Sequence, residues 1–491
     1  MASLLGVAVW ARRVAVVALV GVVPPAALVQ FARASDRTAA RGDVPAPVSV
    51  VAPSARVATP LLSARRVPTL AARVDPVQEL AGQLEPLRGQ VTSPGCLTVT
   101  IGPSTAFDVH GGEAAIPGST LKVVTAAVAL DVLDPAGTFK TDVLTVAAPD
   151  ASGVVAGDLY VVGGGDPLLT TSAYREWLAT TPTVSEVPTT PLESLADAVK
   201  AAGITAVTGA VVGDDGRYDR AYYVSDHWPA SYRAGGTIGP SSALVVNDGY
   251  ARANRTGVAP VADPPAAAAG ALVALLQERG IAVGQGGRSG AAPREATSVA
   301  HVDSQPLRSI IREMLASSDN DTAELLLKEI GRAGKGQAST AGGVAVVTEK
   351  LASWSVPMAG VALFDGSGLS RDDRLTCAAL TGVLNRFGLD SVLVQGMAVA
   401  GVDGTLADHL KGTAAEGRMR GKTGTLSGVR SLVGVFPSAD GTATMRFAFL
   451  LQGQGITPAS ADPSWNQLVN ALATFPVRPD LTPYLPRPAL S

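Results

Sequence analysis

The chain is poor in cysteine and histidine and lacks several catalytic motifs, which narrows the class of site it can carry. Its 491 residues include only 2 Cys and 4 His. The histidines lie far apart in sequence and form no His-Glu-x-x-His cluster: His110, His227, His301 and His409. A zinc peptidase therefore has no ligand set to build on. A Gly-x-Ser-x-Gly nucleophile elbow is also missing, which argues against an α/β-hydrolase triad.

A strong excess of charge of one sign is absent as well. The formal net charge is −3, and 16% of the residues are charged, with both signs interspersed. Nucleic-acid binding needs a basic face, so we expect no nucleic-acid partner. With 47% hydrophobic residues the chain can bury large cores, and its length predicts two or three globular units.

Lysine is scarce beside arginine, yet Lys122 falls in a Ser-Thr-Leu-Lys string that begins at Ser119. Positions i and i+3 of a helix share a face, so the amine can contact the hydroxyl. A neutral amine can take the proton of an attacking serine, which an arginine cannot do. Taken alone, the pattern is also common on surface helices. Here the almost wholly apolar residues 121–130 predict a buried helix with Ser119 at its N-terminus.

A second string, Ser318-Asp319-Asn320, lies between predicted helices over residues 306–315 and 322–330. Its residues are cap and turn formers, so alone it would be an ordinary helix N-cap.

A third string, Lys422-Thr423-Gly424-Thr425, lies on a strand predicted over residues 420–426. A turn at 427–428 and strands over 431–436 and 444–452 would continue it as an antiparallel meander. Gly424 would let a substrate backbone lie close against the strand edge. The three strings occur in the order of an active-serine penicillin-type site.

With four longer strings, these motifs resemble the D-alanyl-D-alanine carboxypeptidase/endopeptidase family, the class C low-molecular-mass penicillin-binding proteins. The longer strings occur at residues 163–167, 212–215, 242–247 and 365–371, and the similarity covers roughly residues 75–475. The resemblance implies an α/β (α+β) fold. We expect a penicillin-binding/β-lactamase-like transpeptidase domain with an antiparallel sheet and a helical subdomain, carrying a large inserted β/α domain.

The insertion is predicted over residues 142–303, between catalytic parts at 74–141 and 304–491. Its expected elements are strands over 143–148, 158–162 and 207–212 and helices over 192–202 and 266–279. The family's usual insertion contains two subdomains. This one is short for both, so we expect the second to be reduced.

The resemblance also implies catalytic roles. Ser119, deprotonated by neutral Lys122, would attack the carbonyl of the penultimate D-alanine of a peptidoglycan stem peptide, and water would hydrolyse the resulting ester. Ser318 would relay the proton to the departing amine. Asn320 would hold the substrate amide and position Lys122, and Lys422 would supply a positive potential that keeps Lys122 neutral.

Substrate binding follows from the same resemblance. Thr423 and Thr425 would bind the substrate carboxylate, with Gly424 between them, and the backbone N–H groups of Ser119 and Thr425 would form the oxyanion hole. No metal or organic cofactor is required. Because a strained lactam mimics the acyl-D-alanyl bond, β-lactam antibiotics are expected as covalent inhibitors.

Two further residues are carried over from the family. Asp214, four residues before Tyr218, and Arg371, after a Gly-Leu-Ser string, would bind the free amino-acid end of a diaminopimelate side chain. Both could equally be ordinary loop charges.

Three alternatives stay open at this point. A β-lactamase or esterase could use the same fold, and a non-catalytic cell-wall binding protein could keep the pocket without turnover. The sequence also does not divide carboxypeptidase from endopeptidase activity, because both use the same nucleophile. It fixes neither the diamino acid of the stem peptide nor the oligomeric state.

The first 34 residues predict export. Arg12-Arg13 precede an apolar stretch over 14–29, and Ala32-Arg33-Ala34 offers a small-x-small cleavage site. The stretch is short beside the roughly 20 residues of a spanning helix, which favours cleavage over an uncleaved anchor. Residues 35–73 are rich in Ala and Pro and predict a flexible linker. We expect a protein of the bacterial cell envelope that contacts membrane only through this segment, if it is uncleaved.

Cys96 and Cys377 both lie in the part predicted to be exported. An oxidising compartment favours a disulfide between them, and two free buried thiols are the alternative.

Overall fold

The structure is a computed structural model that describes residues 75–180, 187–251 and 258–476. These ranges contain twelve α-helices. The helices are α1 Pro76–Leu84, α2 Leu121–Val132, α3 Ser172–Ala179, α4 Leu192–Ala201, α5 Ala230–Ala234, α6 Pro264–Glu278, α7 Leu307–Ser317, α8 Asn320–Lys335, α9 Thr340–Ser353, α10 Cys377–Leu384, α11 Val392–Gly396 and α12 Pro458–Ala473. The predicted export signal and linker lie outside the described residues. Within the described ranges, no helix has the length and apolar character needed to cross a bilayer.

The same ranges contain eighteen strands. They are β1 Cys96–Ile101, β2 Ser104–Val109, β3 Ala114–Ala115, β4 Lys140–Thr145, β5 Val154–Val155, β6 Leu159–Val162, β7 Leu169–Thr170, β8 Thr190–Pro191, β9 Ala206–Val207, β10 Val211–Asp214, β11 Ala282–Val283, β12 Gly287–Ser289, β13 Thr297–Asp303, β14 Leu375–Thr376, β15 Ala398–Val399, β16 Arg420–Leu426, β17 Val429–Pro437 and β18 Thr444–Gln452.

Six strands form the largest sheet, which is antiparallel throughout in the order β15-β16-β17-β18-β1-β2. The predicted meander of β16, β17 and β18 is present, and β16 and β18 have the predicted bounds. Eight of the nine residues of β17 are buried, because helices cover both faces of the sheet.

The alternation of side chains along β17 divides the core into two layers. Val433 and Val435 face a helical layer that includes α2, α7, α8 and α10. Leu432 and Phe436 face the opposite side, where the first and last described helices, α1 and α12, cover the sheet. The period of two along the strand therefore fixes which face carries the helical layer.

Helix α2 is the centre of the helical layer. Every residue from Leu121 to Ala129 is buried, which agrees with the prediction of a helix that is apolar all round.

Residues 142–303, the region predicted as an insertion, contribute a hydrophobic core of their own. Its five-stranded mixed sheet runs in the order β12-β10-β6-β4-β13, and a small parallel sheet runs β11-β9-β5. Helices α4 and α6 pack against these strands through residues such as Leu195 and Leu272. The chain enters and leaves this region at adjacent positions, because Lys140 on β4 and Asp303 on β13 are register partners.

One predicted strand of this region, over residues 207–212, is wrong as a single element. The chain instead forms β9 and β10, which belong to different sheets. The Thr208 and Gly209 amides donate to Val155 O at 3.0 Å and Gly157 O at 2.8 Å. The chain bends at these hydrogen bonds. The apolar residues that predicted one strand are therefore divided between two strands. The first strand of the region also begins and ends three residues earlier than predicted.

A loop of this region packs against α8 and the 365–371 segment. The Tyr218 hydroxyl donates to Glu329 at 3.0 Å, and the Trp228 indole donates to Asp365 at 2.7 Å. Buried Lys328 donates to the carbonyls of Ala221 and Ser241, each at 3.0 Å. These contacts hold residues 217–241 against α8 and against the 365–371 segment.

The predicted disulfide is confirmed. Cys96 at the start of β1 and Cys377 at the start of α10 are bridged with an S–S distance of 2.04 Å and a Cα–Cα distance of 5.9 Å. The bridge joins the central sheet to its helical layer across 281 residues of sequence.

Candidate active site

Ser119 lies in a 3-10 turn, Gly118–Thr120, that leads into α2, so it precedes the α-helix that was expected to begin with it. The Pro117 carbonyl anchors this turn, since it accepts from Thr120 Oγ1 at 2.7 Å and from Ser431 Oγ at 2.6 Å. Gly118 has φ of 54°, a conformation that favours glycine. The serine is thereby fixed between α2 and the neighbouring strands β16 and β17.

Lys122 is fully buried and makes three short contacts through Nζ. Its partners are Ser119 Oγ at 3.1 Å, Asn320 Oδ1 at 2.7 Å and the Ser367 carbonyl at 2.7 Å. Two of these partners can only accept, whereas the serine hydroxyl can also donate. A neutral amine has two N–H groups and one lone pair. With the N–H groups on the two carbonyl oxygens, its lone pair faces the serine hydroxyl.

The surroundings of Lys122 also favour this neutral form. Burial lowers the pKa of the amine to about 8, although the carboxylates of Asp365, Glu324, Asp319 and Asp321 act in the opposite direction. Desolvation penalises the ammonium, so about a tenth of the amine is free base at pH 7, far more than for an ordinary lysine.

The Ser-Asp-Asn string forms the break between α7 and α8, as predicted. Ser318 ends α7 in the left-handed region, with φ of 68° and ψ of 34°. Asp319 caps α8 by accepting from Thr322 N at 3.1 Å. Asn320 also donates through Nδ2 to the Thr237 carbonyl at 2.8 Å, which fixes the orientation of its amide. The cap places Asn320 Oδ1 on Lys122 and the Ser318 side chain in the cavity described below.

The Lys-Thr-Gly-Thr string occupies the middle of β16. A Cβ on Gly424 would lie 2.6 Å from Pro117 O and 3.1 Å from Ser119 N, so only glycine permits this approach to the serine turn. Among the described residues, β15 pairs with β16 only at Arg420 and Gly421. The edge of β16 from residue 422 onward is therefore open to an extended ligand.

Lys422 is buried beneath this edge, and its Nζ donates to the Thr423 carbonyl at 2.9 Å. Burial lowers the pKa of its amine well below the usual range, and the charge of Lys122 lowers it further. The positive potential expected from Lys422 is correspondingly weak in this state.

A cavity of about 400 Å³ lies over the serine. Its lining combines residues of the three motifs with a second group from the chain around 404–409 and from β17. The lining residues are Ser119, Ser318, Gly404, Thr405, Asp408, His409, Thr423, Thr425 and Arg430. Thr423 Oγ1 and Thr405 Oγ1 are 2.9 Å apart. The predicted site residues in this lining are thus brought together with five residues that no motif marked.

Asp214 and Arg371 do not line this cavity. The Asp214 carboxylate accepts from the backbone N–H groups of Gly216 and Ala292, both at 2.7 Å. Arg371 is exposed and donates to Ser427 O at 3.0 Å, at the turn that ends β16. Of the two, Arg371 is the one that reaches the strand carrying Thr425.

No motif marked the loop that holds the Ser367 carbonyl against Lys122. The Ser367 carbonyl that binds it belongs to a loop whose amides at Gly366 and Ser367 donate to Glu324 Oε1 at 3.0 and 2.8 Å. Asp365 accepts from Ser370 N at 2.7 Å in the same loop. Glu324 lies four residues after Asn320, on the same face of α8, and this spacing was the signal that could have found it. Burial raises the pKa of the Glu324 carboxyl.

Comparison with known proteins places this site in a family. Residues 95–260 and 251–475 match the family described as D-Ala-D-Ala carboxypeptidase 3 (S13). A D-alanyl-D-alanine carboxypeptidase of Actinomadura sp. (strain R39) is 30% identical over 412 residues, 68% of this chain and 73% of that protein. Carboxypeptidase DacB of Mycolicibacterium smegmatis is 30% identical over 360 residues, 70% of this chain and 73% of that protein.

Among solved structures, penicillin binding protein 4 (dacB) from Haemophilus influenzae has the same fold. It superposes with a TM-score of 0.65 at 20% identity, covering 79% of this chain and 98% of that chain.

The fold and the site together define an active-serine acyl-transfer enzyme of the penicillin-binding class. The chain belongs to the D-Ala-D-Ala carboxypeptidase 3 (S13) family and is a serine-type carboxypeptidase. The family, the fold class and the type of enzyme predicted from the sequence are therefore confirmed.

Proposed function

We propose that the chain removes the terminal D-alanine from peptidoglycan stem peptides through an acyl-enzyme on Ser119. The observation that carries this proposal is the arrangement at Lys122, whose Nζ lies 2.7 Å from the carbonyl oxygens of Asn320 and Ser367 and 3.1 Å from Ser119 Oγ. In its neutral form, with both N–H groups on those oxygens, the amine would turn its lone pair to the serine hydroxyl. A base in that position can accept the serine proton as Oγ attacks the substrate carbonyl.

The first half of the reaction makes an ester. Ser119 Oγ bonds to the carbonyl carbon of the penultimate D-alanine, its proton passes to Lys122, and the peptide bond to the terminal residue breaks. The departing nitrogen takes a proton that Ser318 relays, and water later attacks the ester and restores the serine. Ser318 lines the cavity over Ser119, which supports this role.

The oxyanion of the tetrahedral intermediate would be held by the backbone N–H groups of Ser119 and Thr425. The close approach of the two segments supports this, since a Cβ on Gly118 would lie only 3.3 Å from Thr425 N. Such a donor commonly contributes about 3–4 kcal/mol to the transition state. The substrate would lie along the open edge of β16, with Thr423 and Thr425 binding its carboxylate.

Several finer assignments belong to the same proposal. Asp214 and Arg371 would contact the free end of a diaminopimelate side chain, β-lactams would acylate Ser119, and cross-linked peptides would be cut as well as terminal ones. The enzyme would act in the cell envelope after export through residues 1–34. Its catalytic domain would comprise residues 74–141 and 304–491, with 142–303 inserted.

Defined muropeptides test this proposal. Purified protein is incubated with a monomeric pentapeptide and with a cross-linked dimer, and the products are weighed by mass spectrometry. Loss of one alanine from the pentapeptide supports carboxypeptidase action, and conversion of the dimer to monomers adds endopeptidase action. Recovery of both substrates unchanged, with no mass added to the protein by penicillin, would overturn the proposal and favour a binding protein without turnover.

A further inference from the structure

Arg430 lies in the active-site cavity but belongs to none of the three motifs. It stands on β17 directly opposite Thr425 of β16, and it lines the same cavity as Ser119. Its side chain is largely buried, with 6% of its surface exposed. A cation is therefore held almost out of solvent beside the residue expected to bind the substrate carboxylate.

The guanidinium is incompletely bonded. Its Nη1 donates to Thr425 Oγ1, and within the described part of the chain this is the one hydrogen bond of its side chain, so that buried Nε has no acceptor. No carboxylate of the described residues forms a direct ion pair with it, although the charge of Asp462 acts on it and favours the protonated guanidinium. Burying a charge without a directly bonded counterion is costly, so the site favours an added anion.

Neighbouring groups hold the guanidinium in place. The ring of buried Trp465 lies 5.9 Å from Arg430 Cζ. Because Thr425 Oγ1 accepts from Arg430, its own hydroxyl hydrogen is free to donate elsewhere. Asp408, the acid that also lines the cavity, points its carboxylate to Lys411 at 2.8 Å and is 91% exposed. The arginine and the threonine thus present several N–H and O–H donors to one point.

The two lysines of the motifs are poor substitutes for this cation. Lys122 is committed to three partners, and Lys422 is buried behind its bond to the Thr423 carbonyl and does not line the cavity. Burial lowers the pKa of Lys422 and also that of Arg430. The amine can lose its proton as a result, whereas a guanidinium stays charged in proteins.

We propose that Arg430, together with Thr425, binds the substrate carboxylate on the carbon next to the leaving nitrogen. This inference rests on the proposed function and names the residue that makes the enzyme specific for acyl donors carrying that carboxylate. Terminal D-alanine, the diamino acid of a D,D-cross-link and the bicyclic core of penicillin all carry an acid group at this position. Arg430 determines specificity and takes no part in proton transfer.

Paired substrates test the role of Arg430. We compare kcat/KM for an acyl-D-Ala-D-Ala peptide and for its C-terminal amide, using wild type, Arg430→Lys and Arg430→Met. A hydrogen bond to a charged group contributes about 1.5–3 kcal/mol. We therefore expect Arg430→Met to lower kcat/KM for the free acid on the order of 10- to 100-fold and to leave the amide unchanged. Arg430→Lys should recover part of the difference.

The ratio of the two substrates keeps the test valid if a variant is partly unfolded, because inactive protein lowers both values equally. Arg446→Met is the matched control. Arg446 is also a buried arginine of the same sheet, but its Nε and Nη2 donate to the carbonyls of Leu384 and Phe387 at 2.9 and 2.7 Å. Its loss should reduce stability and leave the ratio as in wild type.

The possible outcomes distinguish failure of the Arg430 assignment from failure of the proposed function. If wild type hydrolyses the free acid and Arg430→Met keeps the wild-type ratio, Arg430 does not read the carboxylate and only this inference falls. If wild type neither cleaves the peptide nor is acylated by penicillin, both fall. A reduced ratio in Arg430→Met that Arg430→Lys partly restores supports the assignment.

Discussion

Ser119 lies between two regions that differ in how completely their polar groups are bonded. On the helical side, the Lys122 amine has three partners within 3.1 Å, and Asn320 is fixed from both ends of its amide. On the strand side, the edge of β16 that faces β15 has no strand partner from residue 422 onward among the described residues, and buried Nε of Arg430 has no acceptor. The groups proposed to move protons are held by bonds to the protein, and the groups proposed to bind substrate still have bonds to make.

The largest expected effect is on the serine between the two regions. Ser119→Ala should abolish covalent labelling by penicillin and lower kcat about a million-fold, because no other group can form the ester. Fluorescent penicillin and intact-mass measurement check both points. Exposed Ser104, on the far edge strand β2, provides the control substitution. Covalent label on the alanine variant would refute the active-serine assignment.

The next effect separates the two lysines. Lys122→Arg should lower the acylation rate about 10³- to 10⁴-fold although it keeps the charge, because a guanidinium cannot accept the serine proton. Lys422→Arg should keep measurable acylation, since the proposed role of Lys422 needs charge and no proton transfer. Stopped-flow acylation by penicillin measures both variants. Equal tolerance of arginine at the two positions would contradict the division between the two regions.

The disulfide tests how the sheet and the helical layer are held together. Replacing Cys96 and Cys377 by serine should lower the free energy of unfolding by about 2–5 kcal/mol, because the bridge closes a loop of 281 residues in the unfolded chain. Denaturant titration of the variant and of oxidised wild type gives the difference. Alkylation before reduction should find no free thiol in wild type, and two modified cysteines would show that the bridge is not formed.

The helical side should also set the pH dependence. The base must be neutral to act, and burial lowers the pKa of Lys122 to about 8. Below that pH, acylation should therefore fall about tenfold per unit as the amine becomes protonated, and above it the rate should level off. The charged groups that act on this amine are Asp365, Glu324, Asp319 and Asp321, with Lys422 nearby. A rate independent of pH between 6 and 8 would show that another group is the base.

The smallest expected effect concerns Asp214 and Arg371. Arg371→Ala should lower kcat/KM for a peptide with a free diaminopimelate end by about a factor of ten or less, as for one partly exposed ionic contact. The same peptide with that end amidated serves as control. Asp214→Asn should have a smaller effect, because both of its oxygens already accept backbone bonds. Equal effects on the free and amidated peptides would remove both residues from substrate binding.

The proposed catalytic residues could be predicted from the sequence because reaction chemistry restricts residue type and spacing. Ser119 and Lys122 are a helical turn apart, and the strand over 420–426 has the predicted bounds. The Ser367 carbonyl could not be found in this way, because a backbone oxygen has no signature in the sequence. Arg430 belongs to no motif and lies outside the strand predicted over 431–436, and its register opposite Thr425 gives it a place in the cavity. The split of residues 206–214 into two strands depended on hydrogen bonds to distant residues.

The order of strands in the large sheet has a consequence for how the enzyme is made. Cys96 on β1 is the register partner of Leu450 on β18, so β1 can pair early with β2 but gains its second neighbour only when almost the whole chain has been synthesised. Contacts between such distant residues slow folding, because the loop must close before they form. A fragment ending before residue 444 contains Ser119 and Lys122 yet cannot complete the sheet beneath them. We therefore expect catalytic competence to arise only with the last strand, and truncated products of translation or proteolysis to be inactive.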